Sequence, residues 1–96
     1  MRVLVTGGTG FVGSRLVAHL RGRGYAVTAA ARSEGGDVAV GDIGPDTDWS
    51  MALDGIEAVV HLAARVHQMR DRAADPLAAF RRVNAEGTRC LAAAAA

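Results

Sequence analysis

Ninety-six residues, half of them hydrophobic, allow one packed domain or part of a larger one and argue against disorder. Acids and bases are mixed along a chain of net charge +1, which excludes a dedicated nucleic-acid surface, and no apolar run approaches the ~20 residues of a membrane span. Met1 to Val5 is too short an apolar run for a signal peptide, so a cytoplasmic location is expected.

Val3-Leu4-Val5 stops at Thr6 and a glycine cluster, the pattern of a buried strand. From Phe11 to Arg21, the apolar residues Val12, Leu16, Val17 and Leu20 recur at spacings near three and four, which predicts an amphipathic helix closed by Gly22 and Gly24. Ala26 to Ala31 reads as a second strand and Val38 to Val40 as a short third one. A loop follows from Gly41 to Asp48, then a brief helix over Trp49 to Leu53 and a fourth strand over Ala58 to Leu62. Asp75-Pro76 opens a last helix, with Asp as cap and Pro in the first turn; Leu77, Phe80, Val83, Gly87 and Leu91 mark one face of it. This alternation predicts an α/β fold with a parallel sheet and right-handed crossovers. The run Ala92 to Ala96 has no glycine stop, so the chain reads as truncated, with 1–96 the N-terminal part of a domain. Left as an edge, the fourth strand would make such a piece marginally stable and prone to associate.

Gly7-Gly8-Thr9-Gly10-Phe11-Val12-Gly13 joins the first strand directly to the first helix. Gly7 is expected to permit a sharp turn, Gly10 to leave room for a pyrophosphate, and Gly13 to let the helix lie close to the sheet. The amides of the first helical turn and the helix dipole would then face the phosphates, with Thr6 and Thr9 as further hydroxyl donors. A glycine-rich structural turn is the alternative, but the strand-loop-helix context favours a dinucleotide loop. A P-loop is excluded because the sequence has no lysine.

Val5 to Ser14 resembles the cofactor loop of the extended short-chain dehydrogenase/reductase family, which includes NAD-dependent epimerases and dehydratases of nucleotide sugars. Gly41-Asp42-Ile43, Val60-His61-Leu62-Ala63-Ala64 and Val83-Asn84-Ala85-Glu86-Gly87-Thr88 resemble further family segments in the right order. The resemblance implies a Rossmann-type sheet of order 3-2-1-4 with helices on both faces. It implies that Gly7, Thr9, Gly10, Phe11, Val12 and Gly13 surround the pyrophosphate, that Asp42 holds the adenine amino group, and that Ile43 flanks the ring. Leu62, Ala63 and Ala64 would line the ribose and nicotinamide side. His61 would line the cofactor too, with a packed core histidine as the alternative, and the Asn84 position would help organise the active site. The stretch Ala63 to His67 followed by Asp75-Pro76 is similar to UDP-sugar epimerases and 4-keto reductases.

The family's catalytic Tyr-x-x-x-Lys cannot be assembled from these residues: Tyr25 is the only tyrosine and lysine is absent. The resemblance therefore implies the NAD(P)-binding portion of a nucleotide-sugar epimerase, dehydratase or reductase, inactive alone, with a possible homodimer in the complete enzyme. A non-enzymatic NAD(P)-binding module or redox sensor, or a nonfunctional gene remnant, stays open as an alternative. Ala31 takes the place of the acid that NAD enzymes put at the end of the second strand, and Arg32 follows, so NADP is favoured. Arg15 is a further candidate for its phosphate, and Glu34 keeps NAD open. Cys90 reads as a small buried hydrophobe and His19 as a surface residue. His61 and His67 lack metal-ligand spacing. Arg65, Arg70, Arg72, Arg81, Arg82 and Arg89 read as a solvated face.

Overall fold

β1, Arg2–Thr6, forms the middle of the sheet, and Val3 to Thr6 are all buried. A strand covered on both faces cannot alternate apolar and polar residues, which accounts for its unbroken apolar run. The computed structural model describes residues 1–63 and 75–96. Its four strands lie in the order β3-β2-β1-β4, as the sequence implies, and every pairing is parallel. β2 (Ala26–Ala31) sets Val27 opposite Val3, and β4 (Ala58–His61) sets Ala58 opposite the same residue.

Helices cover both faces. Under α1 (Phe11–Gly22), Val17 packs on Val3, Val5 and Ala29. On the other face, Leu4 and Ala30 meet Trp49 and Ala52, which belong to α2 (Ser50–Leu53) and its cap, and Leu91 of α4 (Gly87–Ala95). The alternating residues of β1 thus feed two separate cores.

Several boundaries differ from those expected. α1 runs through Gly22, and Gly24, at φ +92°, is the residue that lets the chain turn back. β3 is only Val38–Ala39, although the Val40 amide continues its ladder to the Ala31 carbonyl at 2.9 Å. β4 ends at His61. Trp49 lies just before α2 and is the largest fully buried side chain.

The last helix is not uniform. Asp75 caps α3 (Pro76–Phe80) by accepting from the Ala78 amide at 3.1 Å, as its position beside Pro76 suggested. Residues Arg81–Glu86 then form a π segment before α4. A π turn closes i→i+5 bonds, so it takes in an extra residue and rotates the flanking helices out of a common 3.6 phase. Gly87 and Leu91 are buried as expected, whereas Leu77 is 62% exposed, because the face drawn through it assumed one continuous α-helix.

Leu4 has no exposed surface and belongs to the core beneath α4. Leu4→Ala is expected to cost about 3 kcal/mol in equilibrium denaturation. Met51, 83% exposed, should tolerate alanine within about 0.5 kcal/mol.

Candidate functional site

The corner between β1 and α1 is built almost entirely from backbone. Gly7 adopts φ +68°, a conformation that side chains disfavour, and the Gly10 amide returns to its carbonyl at 3.1 Å. A Cβ at Gly8 would stand 2.7 Å from the Ala29 methyl, and one at Gly13 would overlap the Gly7 carbonyl oxygen. The close approach to the sheet therefore belongs to Gly8, whereas Gly13 lets the helix lie against its own loop; this corrects the role expected of Gly13. Gly10 differs from both. A Cβ there would meet only the Gly7 oxygen, at 3.4 Å, and otherwise open space.

That open space is a cavity of about 370 Å³ at the C-terminal ends of β1 and β2. Of the residues expected at the site, Gly7, Thr9, Gly10, Arg32, Ile43 and Ala63 line it. Ala30, Ala31 and Val40 add apolar wall, and Ser33 and Glu34 add polar groups. α1 begins at the cavity with no acidic residue in its first turn, which leaves the positive end of its dipole uncompensated. A pocket with an apolar wall on one side and a helix N-terminus on the other suits a ligand that joins an aromatic base to a phosphate.

The remaining expected residues stand elsewhere. Phe11 and Val12 are 76% and 62% exposed on the first turn of α1, outside the cavity wall. Arg15 does not reach the cavity either: its guanidinium stacks 3.8 Å from the Phe11 ring centroid and donates to the Phe11 carbonyl. Asp42 lies beside the cavity, 3.3 Å from the Arg32 guanidinium, with both side chains largely exposed. Leu62 is exposed and outside the wall. Ala64, with Arg65, His67, Arg70 and Arg72, lies outside the described residues.

Thr6 is not free to donate to a ligand. Its buried Oγ1 accepts from the Leu62 and Ala63 amides at 3.0 and 3.1 Å, and it lies 2.6 Å from His61 Nδ1. Both hydroxyl lone pairs are thereby used, so the hydroxyl hydrogen goes to Nδ1 and the ring proton sits on Nε2. Nε2 is buried and has no hydrogen-bond partner among the described residues. Burial pushes the His61 pKa below its ordinary 6.5. His61 therefore holds Thr6 and does not line the cavity, in contrast to the role the resemblance implied.

Sequence reading gave no part to Asp37, which fixes the loop carrying Arg32, Ser33 and Glu34. Its amide donates to the Ala29 carbonyl at 2.7 Å, and its Oδ2 accepts from the Ala29 amide at 2.8 Å and from Arg21 at 2.7 Å. A carboxylate here replaces one rung of the strand ladder. Cys90 is half-buried, packs on the core beneath α4, and donates to the Thr47 carbonyl at 3.4 Å.

The family model described as the NAD dependent epimerase/dehydratase family matches residues 3–96. A UDP-glucose 4-epimerase from Vibrio cholerae is 44% identical over 92 residues, covering 90% of this chain and 28% of that protein. A 3-beta-hydroxysteroid dehydrogenase from Mycolicibacterium neoaurum is 40% identical over 75 residues, 71% of this chain and 20% of its own length. A crystal structure of a short-chain dehydrogenase/reductase superfamily protein from Agrobacterium tumefaciens, with bound NAD, superposes with a TM-score of 0.79 at 36% identity. It is matched over 99% of this chain and 29% of the other. The chain thus spans less than a third of each of these relatives.

The burial of His61 gives the folded chain a pH signature. The unfolded chain takes up a proton on His61 as pH falls through about 6.5, before the folded chain does, so stability drops below that pH. Denaturation at stepped pH should show an added slope of at most about 1.4 kcal/mol per pH unit, and His61→Gln should remove it.

Proposed function

The chain belongs to the NAD dependent epimerase/dehydratase family, and we propose that residues 1–96 form the NAD(P)-binding portion of a nucleotide-sugar epimerase, dehydratase or reductase. The observation that carries this reading is the cavity itself. One side is the open face of Gly10 at the start of α1, and the other is the wall of Ala31, Val40 and Ile43. In this reading pyrophosphate takes the amides of the first helical turn, adenine lies along Ile43, and Asp42 meets its amino group from the rim.

NADP is the proposed cofactor. Among the described residues Arg32 is the cationic group of the cavity wall, and its exposed pairing with Asp42 exchanges for a 2′-phosphate at little cost. In the whole protein a bound cofactor would supply hydride to a carbonyl carbon of a nucleotide sugar or accept it from the corresponding alcohol carbon; no catalytic residue is assigned within residues 1–96. The sugar is preferred over a steroid because the Vibrio cholerae epimerase matches more of this chain, at higher identity, than the steroid dehydrogenase does. A homodimer of the whole protein and a cytoplasmic location complete the proposal. Among the described residues no helix is long and apolar enough to cross a membrane.

Titration of the chain with NADP and NAD, followed by thermal melting, tests the site. A cofactor at a hundred times its Kd should stabilise the fold by about 2.7 kcal/mol, with NADP giving the larger shift. Arg32→Ala should reduce the NADP shift and leave that of NAD. A larger shift with NAD in the native chain would overturn the NADP assignment, and no shift with either would overturn the site.

Two glycine variants separate binding from folding. Gly10→Ala should keep its stability within about 0.5 kcal/mol, since the new methyl touches only the Gly7 oxygen, at 3.4 Å, yet lose the cofactor shift. Gly13→Ala should destabilise the chain itself, because its methyl strikes the Gly7 carbonyl.

A further inference from the structure

We infer that Gly87 positions the adenine end of the cofactor site by holding Ile43 at its depth in the cavity wall. The inference rests on the dinucleotide reading of that cavity and assigns part of its shape to a residue that does not line it. Gly87 is buried at the start of α4, immediately after the π segment. A Cβ on Gly87 would stand 2.6 Å from Ile43 Cγ2 and 3.5 Å from the Gly44 amide nitrogen. At that separation something must move. Ile43 packs in the core cluster of Ala30, Trp49 and Leu91 and borders two cavities, the 370 Å³ one and another of about 390 Å³ that Gly44 and Arg82 also line. The core is close-packed, so a displaced Ile43 gives toward open space, and its movement into the 370 Å³ cavity is the part that falls at the cofactor site. A single methyl at position 87 would thus narrow the space where an adenine lies against Ile43, while the phosphate loop at Gly7 to Gly10 stays untouched.

Gly87 follows the π segment directly and faces the Ile43 side chain and the Gly44 backbone. The effect of Gly87 is indirect, and Ile43 Cγ2 is the atom through which it acts.

The test is a double-mutant cycle on the full chain, read by calorimetric binding of AMP and of inorganic pyrophosphate. Gly87→Ala should weaken AMP about tenfold and leave pyrophosphate within about twofold, an overpacking effect confined to one end of the site. On an Ile43→Val background, which keeps Cγ2, the AMP loss should persist. On an Ile43→Ala background, which removes it, Gly87→Ala should add no further loss. Alanine is the better helix former, so α4 itself is not weakened by the change. If Gly87→Ala does not fold, recovery of folding in the double variant with Ile43→Ala supports the clash, and failure in both overturns it. Unchanged AMP affinity in Gly87→Ala, or an equal loss on all three backgrounds, overturns the inference alone. A native chain that binds neither probe overturns the site reading and this inference with it.

Discussion

One steric constraint organises the site: β1 passes into α1 through a corner with no room for a Cβ at Gly8 or Gly13. The strand is buried on both faces, so the chain must leave the sheet at its end and return at once as a covering helix. The returning backbone presses on the Ala29 methyl at Gly8 and on its own Gly7 carbonyl at Gly13. Those two positions exclude any Cβ for reasons internal to the fold. Only Gly10 is open on its outer side, and that opening makes the corner a binding surface as well as a turn. The helix N-terminus is delivered to the same place by the same constraint, and no side chain among the described residues caps it.

The other walls of the cavity are held by polar contacts at the strand ends, buried at Thr6 and half-exposed at Asp37. Thr6 does with one hydroxyl what strand pairing would otherwise do for three groups, binding the first two amides beyond β4 and the His61 ring. Asp37 does the same beside β2, where its carboxylate and amide both bond Ala29 and tie the Arg32 loop to α1 through Arg21. Neither residue is a ligand group. Each removes a conformational freedom that would let the cavity wall drift, and the hydrogen bonds of buried Thr6 are costly to leave unmade.

Much of this was legible in the sequence because it depends on local pattern. Strand and helix periods gave the element order, and the glycine spacing between strand and helix gave the loop and, with the family resemblance, the sheet order. Gly7, Thr9, Gly10, Arg32, Ile43 and Ala63 were expected at the site and line its cavity. Phe11, Val12, Asp42 and Leu62 were expected beside them on motif position alone, and they stand outside the wall. A motif fixes where a residue sits along the chain but not which way its side chain leaves a helix or strand end.

The sequence by itself determined which segments are strands and helices, where the chain must turn without side chains, and that one loop is suited to phosphate. These are properties of a few neighbouring residues, set by periodicity and by the missing Cβ of glycine. Only the tertiary structure decided that Thr6 answers His61 across 55 positions, that Asp37 fastens the loop carrying Arg32, that Trp49 fills the core, and that Gly87 backs Ile43. Each of these is a contact between different elements, from eight positions apart at Asp37 and Ala29 to 55 at Thr6 and His61. No local pattern encodes such contacts, because they exist only once the sheet has brought its strand ends together.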